Sequence, residues 1–202
     1  MNKQRILNPR PSGTREVSKK FLIMVVGTTE YNYFRRFVKR NSKLKVKPLQ
    51  SKRRDAVSIA EACVKRSEEY GISKKDGDRS AVVYDVDQNT GDSISKSEEI
   101  CKRNGAEMYI SNPSFECWLL MHFQDVGGGC TQDSLEDSLT VVLGCRYEKS
   151  NEINGKIDDT NIREAISRSS KRICIREKRN MDCLKTYPSS TLHFLVGDIL
   201  DP

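Results

Sequence analysis

The chain has 202 residues, of which 36% are hydrophobic and 31% charged. That length can bury the core of one ordinary domain, and that apolar content excludes a disordered chain. A net charge of +7 and a pI near 9.0 favour polyanionic partners, nucleic acid first and an acidic protein second.

Residues 1–18 carry Pro9, Pro11 and Gly13 among charges and are expected to form a mobile basic arm, a disordered end rather than a partner contact. The remainder, 19–202, reads as a single α/β domain. Residues 20–26 are a continuous apolar run, which suits a central strand covered on both faces. Thr28 and Thr29 follow as candidate caps of a helix whose apolar stripe is Tyr33, Phe34, Phe37 and Val38. Residues 35–54 hold ten Lys or Arg and no acid. Arg35, Arg36, Lys39, Arg40, Lys52, Arg53 and Arg54 are therefore the candidate nucleic-acid contacts, against the alternative of a solvated face. Inside that stretch, 44–49 alternates apolar and basic residues, as a strand with one exposed face or an edge strand does.

Helical spacing of Ala56, Ile59, Ala60, Cys63 and Val64 predicts a helix over 55–70 that Gly71 stops. Residues 81–84 form another apolar run, ending in Asp85-Val86-Asp87. A helix is expected from Gly91 to Arg103, with Asn104-Gly105 ending it, and then a short strand over 106–110. Asn112 and Pro113 read as the cap and first residue of a helix carrying Phe115, Trp118, Leu119, Leu120 and Phe123, the most buried helix of the chain. The loop 124–133 contains three glycines without a following Lys, so it is a connector or a flexible lid and not a phosphate loop. The last third reads as helical over 134–143, 161–178 and 189–200. Strands alternating with helices imply right-handed crossovers and a mainly parallel sheet.

In such a sheet, functional groups collect where strand ends lead into helix N-termini. Glu30, Asp85, Asp87 and Glu116 fall there. Asp85 and Asp87, two apart on extended chain and roughly 7 Å between Cα atoms, suit Mg²⁺ or Mn²⁺, hard cations held by one or two carboxylates plus substrate phosphates. The plainer alternative is a turn beginning at Asp87 and a solvating Asp85. Glu30 and Glu116 each sit in a first helical turn, where complementing the helix dipole is the plainer role.

Other chemistries are weaker. Seven cysteines are scattered without a C-x-x-C, which favours free thiols in a reducing cytoplasm over zinc ligands or disulfides. His122 and His193 lie in apolar helical patterns with no metal motif, which favours packing or surface roles, and Trp118 sits at core spacing. Neither a G-x-S-x-G elbow nor an H-x-E deaminase signature occurs. No signal peptide heads the chain and no apolar run is long enough to span a membrane, so a cytoplasmic protein is expected.

Four ordered blocks, "RPSGTREVSKKFLIMVVGTTEYNYF", "AVVYDVD", "ISNPSFECWLLMHF" and "YPSSTLHFLVGDIL", resemble the RloB family of prokaryotic defence proteins, a branch of the Toprim-like superfamily. The resemblance spans nearly the whole chain. It implies a Toprim-like sheet with flanking helices, a Mg²⁺-dependent nuclease-type site and an ATPase partner resembling ABC or SMC heads. It carries metal binding onto Asp85 and Asp87, and a catalytic role onto Glu30, Asp85 and Glu116. The Glu that such proteins place at the end of the first strand has no counterpart: its position is Val25, or Val26 with a one-residue gap. Two readings follow, a metal-dependent nuclease acting on RNA or DNA in an antiviral defence system, and a catalytically inactive subunit that recognises nucleic acid or its partner. A scaffold whose basic face neutralises an acidic neighbour is a third, blander reading. The possibility of a homo-oligomer is open at this level.

Overall fold

The structure, a computed structural model, describes residues 18–40, 43–86, 89–149 and 153–202. The expected N-terminal arm therefore lies outside the described residues, apart from Ser18. Five strands form one sheet in the order β2-β1-β3-β4-β5, where β1 is Lys19–Val25, β2 Leu44–Gln50, β3 Arg79–Asp85, β4 Glu107–Asn112 and β5 Ser189–Ser190. The first four are parallel and the short β5 is antiparallel to β4. The fold is thus the expected α/β sheet with flanking helices and a helical C-terminal part.

The central strand β1 shows why its sequence is apolar throughout. Successive side chains alternate between faces, and both faces are covered. Phe21, Ile23 and Val25 enter a core with helices α1 (Thr28–Arg35), α4 (Phe115–Leu120), α5 (Gln132–Leu143), α6 (Asp159–Ser170) and α8 (Leu192–Leu200). Leu22 and Met24 enter the other core, with α2 (Ala56–Glu69), α3 (Gly91–Asn104) and α7 (Arg179–Lys185). Strand β2 is the edge its pattern announced: Leu44, Val46 and Pro48 are buried, while Lys45 and Lys47 face solvent.

Helix ends explain several boundaries. Asp55 caps α2 by accepting from the Ser58 N–H at 2.8 Å, and Gly105 ends α3 in the left-handed conformation at φ +76°. The predicted threonine caps of α1 are not caps. Gly27 takes that position and Thr28 and Thr29 begin the helix, because the Thr29 hydroxyl is drawn to the Lys149 carbonyl at 2.7 Å. Asn112 and Pro113 do not start α4 either. Pairing with Ser189 extends β4 through Asn112, whose side-chain amide donates to the Cys183 and Thr186 carbonyls, and Ser114 becomes the N-cap.

The predicted helix over 161–178 is broken. Helix α6 stops at Ser170 because Ile162 and Ala165 pack in one core, whereas Ile173 and Cys183 pack in the core on the sheet's other face. A single straight helix cannot serve both. The predicted helix over 189–200 likewise surrenders Ser189–Ser190 to the sheet.

All six residues of α4 are buried, as the sequence suggested. The loop 124–133 connects it to α5 with Val126 anchored in the core and Gly127, Gly128 and Gly129 exposed. His122 and His193 are both buried packing residues. Burial pushes their imidazoles down, to about 3 and about 4 respectively, and His122 sits 3.1 Å from the Tyr33 hydroxyl. Among the described residues no helix is long and apolar enough to cross a membrane.

Candidate functional site

Strands β1 and β3 are neighbours, but the chain leaves them for opposite faces. From β1 it enters α1 in one core; from β3 it reaches α3 in the other. This divergence opens a crevice at the carboxyl ends of the two strands, the place where open α/β sheets bind ligands. A cavity of about 400 Å³ occupies that crevice. Its floor is Val26, Gly27 and the first turn of α1; Tyr84 and Asp85 come from β3, Phe115 and Glu116 from α4.

Glu30 is the third residue of α1, and its carboxylate folds back over the helix N-terminus. Gly27 makes the room: a Cβ there would lie 2.3 Å from Glu30 Oε2. The carboxylate thereby takes the reciprocal position of a capping box, facing the N-terminal backbone N–H groups. It is only 5% exposed. Burial raises its pKa to about 7; the backbone N–H groups of Glu30 and Gly27 oppose that rise, Glu116 adds to it and Lys149 opposes it.

Glu116 is 3% exposed in the most buried helix, a costly place for a carboxylate without partners. The Tyr147 hydroxyl donates to its Oε1 at 2.9 Å, and the Lys149 ammonium lies 3.9 Å away. Both partners come from the segment following α5. Asp85 ends β3 half-buried. The loop behind it is tied down by Asn89, whose side-chain amide donates to the Asp85 carbonyl at 2.9 Å while its oxygen accepts from the Ala56 N–H at 2.9 Å.

Glu30, Asp85 and Glu116, three acids the sequence singled out, therefore line one cavity. Asp87 lies outside the described residues. Among the described residues no group of three His, Cys, Asp or Glu side chains converges closely enough to hold a metal ion.

The basic stretch over 35–54 does not form one surface. Parallel pairing aligns Leu44 with Lys19 and Gln50 with Val25, so residues 36–40 lie at the amino end of the sheet and Lys52, Arg53 and Arg54 at the carboxyl end. Arg54 lines the cavity, and Lys52 and Arg53 are exposed beside it. At the other end, Arg40 forms a two-pronged ion pair with Asp159 at 2.6 and 2.7 Å, and Arg36 donates to the Ile157 carbonyl. These two arginines hold the start of α6, while Arg35 and Lys39 stay exposed.

Sequence reasoning missed Tyr147 and Lys149. Their segment has no motif of its own, and it reaches the cavity only because α5 carries the chain back across α4.

These features define an α/β protein with an acidic, cation-flanked cavity at the switch point of a mainly parallel sheet. The chain belongs to the RloB-like protein family, which it matches over residues 21–199. No curated protein and no solved structure matches it.

Proposed function

We propose that this cavity is the active site of a metal-dependent phosphodiester hydrolase, a Toprim-like nuclease subunit of a prokaryotic defence system. Membership of the RloB-like family supports the association with defence. The observation that carries the chemistry is the meeting of Glu30, Asp85 and Glu116 in a switch-point cavity that also holds Arg54.

The donor set fits a hard cation: carboxylate oxygens, with Thr28 and Asn89 close by and no imidazole or thiol. Asp85, with Asp87 two positions on in sequence, would hold Mg²⁺ or Mn²⁺, which when bound neutralises phosphate charge and acidifies a water. Arg54 binds the phosphate of the strand, with Lys52 and Arg53 extending that surface. Glu30 holds or releases a proton near neutral pH, the range in which a general acid or base works best. It takes the task of the first-strand Glu, whose position falls on Val25 in the core or Val26 at the cavity wall. Glu116, oriented by Tyr147, keeps the site acidic.

One observation favours a second reading, a recognition module without turnover. Val26 lines the cavity where the resemblance places a catalytic acid, and a valine can neither bind a cation nor move a proton. An ABC- or SMC-like ATPase partner belongs to both readings.

The test is calorimetric titration of Mg²⁺ or Mn²⁺ into wild type and Asp85→Asn, followed by cleavage of labelled tRNA and plasmid in the same samples. Metal-dependent cleavage that falls at least about 10²-fold in Asp85→Asn is expected. Cleavage unchanged in the variant would sink the assignment. Metal and nucleic-acid binding without cleavage in either protein would select the recognition module.

A further inference from the structure

We propose that Lys149 is a second phosphate-binding cation of the cavity, with Tyr147 as the residue that positions its segment on Glu116; this rests on the reading of the cavity as a phosphate-handling site. A pocket lined by three acids repels a nucleic-acid strand unless cations meet the phosphates. Arg54 supplies one from the β2 side. Lys149 is the other cation lining the cavity among the described residues.

The geometry distinguishes a ligand-binding lysine from a structural counter-ion. A lysine present only to neutralise buried Glu116 would sit at hydrogen-bond distance and be buried with it. Lys149 instead stands 3.9 Å from Glu116, with 56% of its side chain exposed and Glu136 at 3.3 Å on its other side. Its backbone, by contrast, is fixed. The Lys149 carbonyl accepts from Thr29 Oγ1 at 2.7 Å, next to Glu30 on the first turn of α1, and the Tyr147 hydroxyl reaches Glu116 at 2.9 Å. A held stem under a half-exposed ammonium, shared between the Glu116 and Glu136 carboxylates and open to solvent, can turn to a phosphate at the cavity. Lys, as a compact charge with rotatable donors, suits that task.

The experiment is fluorescence anisotropy of a labelled single-stranded RNA over a salt series, with Ca²⁺ in place of Mg²⁺ so that binding is read without turnover. Wild type, Lys149→Met, Lys149→Arg and Arg54→Met are compared, each checked for cooperative thermal unfolding. Each phosphate contact contributes about 0.7 to the slope of log K against log salt for a single strand. Lys149→Met is expected to weaken binding and lower the slope by about that amount, as Arg54→Met does, while Lys149→Arg keeps the wild-type slope. A purely structural lysine would leave the slope unchanged even if it altered stability. A wild-type slope in Lys149→Met beside a reduced one in Arg54→Met overturns this inference and leaves the cavity's role standing. Wild-type slopes in both variants, or binding of neither single-stranded RNA nor single-stranded DNA by wild type, overturn the two together.

Discussion

Glu30 occupies a position where local and long-range physics disagree. Locally it is a first-turn acid whose carboxylate faces the backbone N–H groups of the helix N-terminus, a favourable arrangement for the charged form. Burial against α4 and the presence of Glu116 disfavour the charge, and burial wins, raising its pKa from an ordinary value of 4.5 to about 7. The folded state therefore holds this proton more tightly than the unfolded chain. Between about pH 4.5 and 7 its contribution to stability falls as pH rises, and above 7 the full penalty is present. Glu30→Gln keeps an acceptor for the cap and removes the titration. At about 1.4 kcal/mol per pKa unit, the variant is expected to exceed wild type in stability by about 1–3 kcal/mol at pH 8 and to match it near pH 4.5. Urea unfolding of the two proteins at both pH values checks this, since the difference cancels the other carboxylates. An equal gap at both pH values would mean that Glu30 does not titrate near neutrality. The acid itself was legible in the sequence; its environment was not, because Glu116, Tyr147 and Lys149 arrive from distant segments.

Elements were most legible where one physical pattern dominated. The double-sided burial of β1, the alternating edge strand β2 and the Gly105 stop of α3 each follow from local chemistry. Failures came where a tertiary demand overrode it: Asn112 was recruited into pairing with Ser189, and residues 161–178 had to cross between two cores. Strand β2 also carries a consequence for self-association. Among the described residues no strand pairs with its outer side, which carries Lys45, Lys47 and the N–H-less Pro48 as guards. Lys47 further covers the Tyr70 ring at 3.4 Å from its centroid. Replacing both lysines with isoleucine leaves the buried set intact and removes the guard. The double variant Lys45→Ile/Lys47→Ile is expected to shift to higher mass in light scattering at concentrations where wild type does not. Identical scattering would show that Pro48 alone suffices.

At the scale of the molecule, the distribution of charge matters more than the net value of +7. Sequence places the cations of 35–54 in one run; the fold sends residues 35–40 and 52–54 to opposite ends of β2, whose seven residues span roughly 20 Å, and leaves Lys45 and Lys47 exposed along the strand between them. That separation exceeds the Debye length of about 8 Å at physiological salt, so the two groups act independently on any ligand in the cavity. Arg36 and Arg40 at the far end are already committed to α6, while Arg35 and Lys39 are exposed there. Arg54 lines the acidic cavity, and Lys52 and Arg53 are the exposed residues that precede it in the chain. Neutralising these three to glutamine is expected to weaken RNA binding more than tenfold and flatten its salt dependence. Arg35→Gln/Lys39→Gln should change affinity less than about twofold, since screened charges that far from the cavity add little. Anisotropy titrations at two salt concentrations separate the outcomes. If the two sets of substitutions weaken binding equally per charge removed, RNA follows the outer face of α1 as well as the cavity. The carboxyl end of the sheet would then not be the sole binding edge.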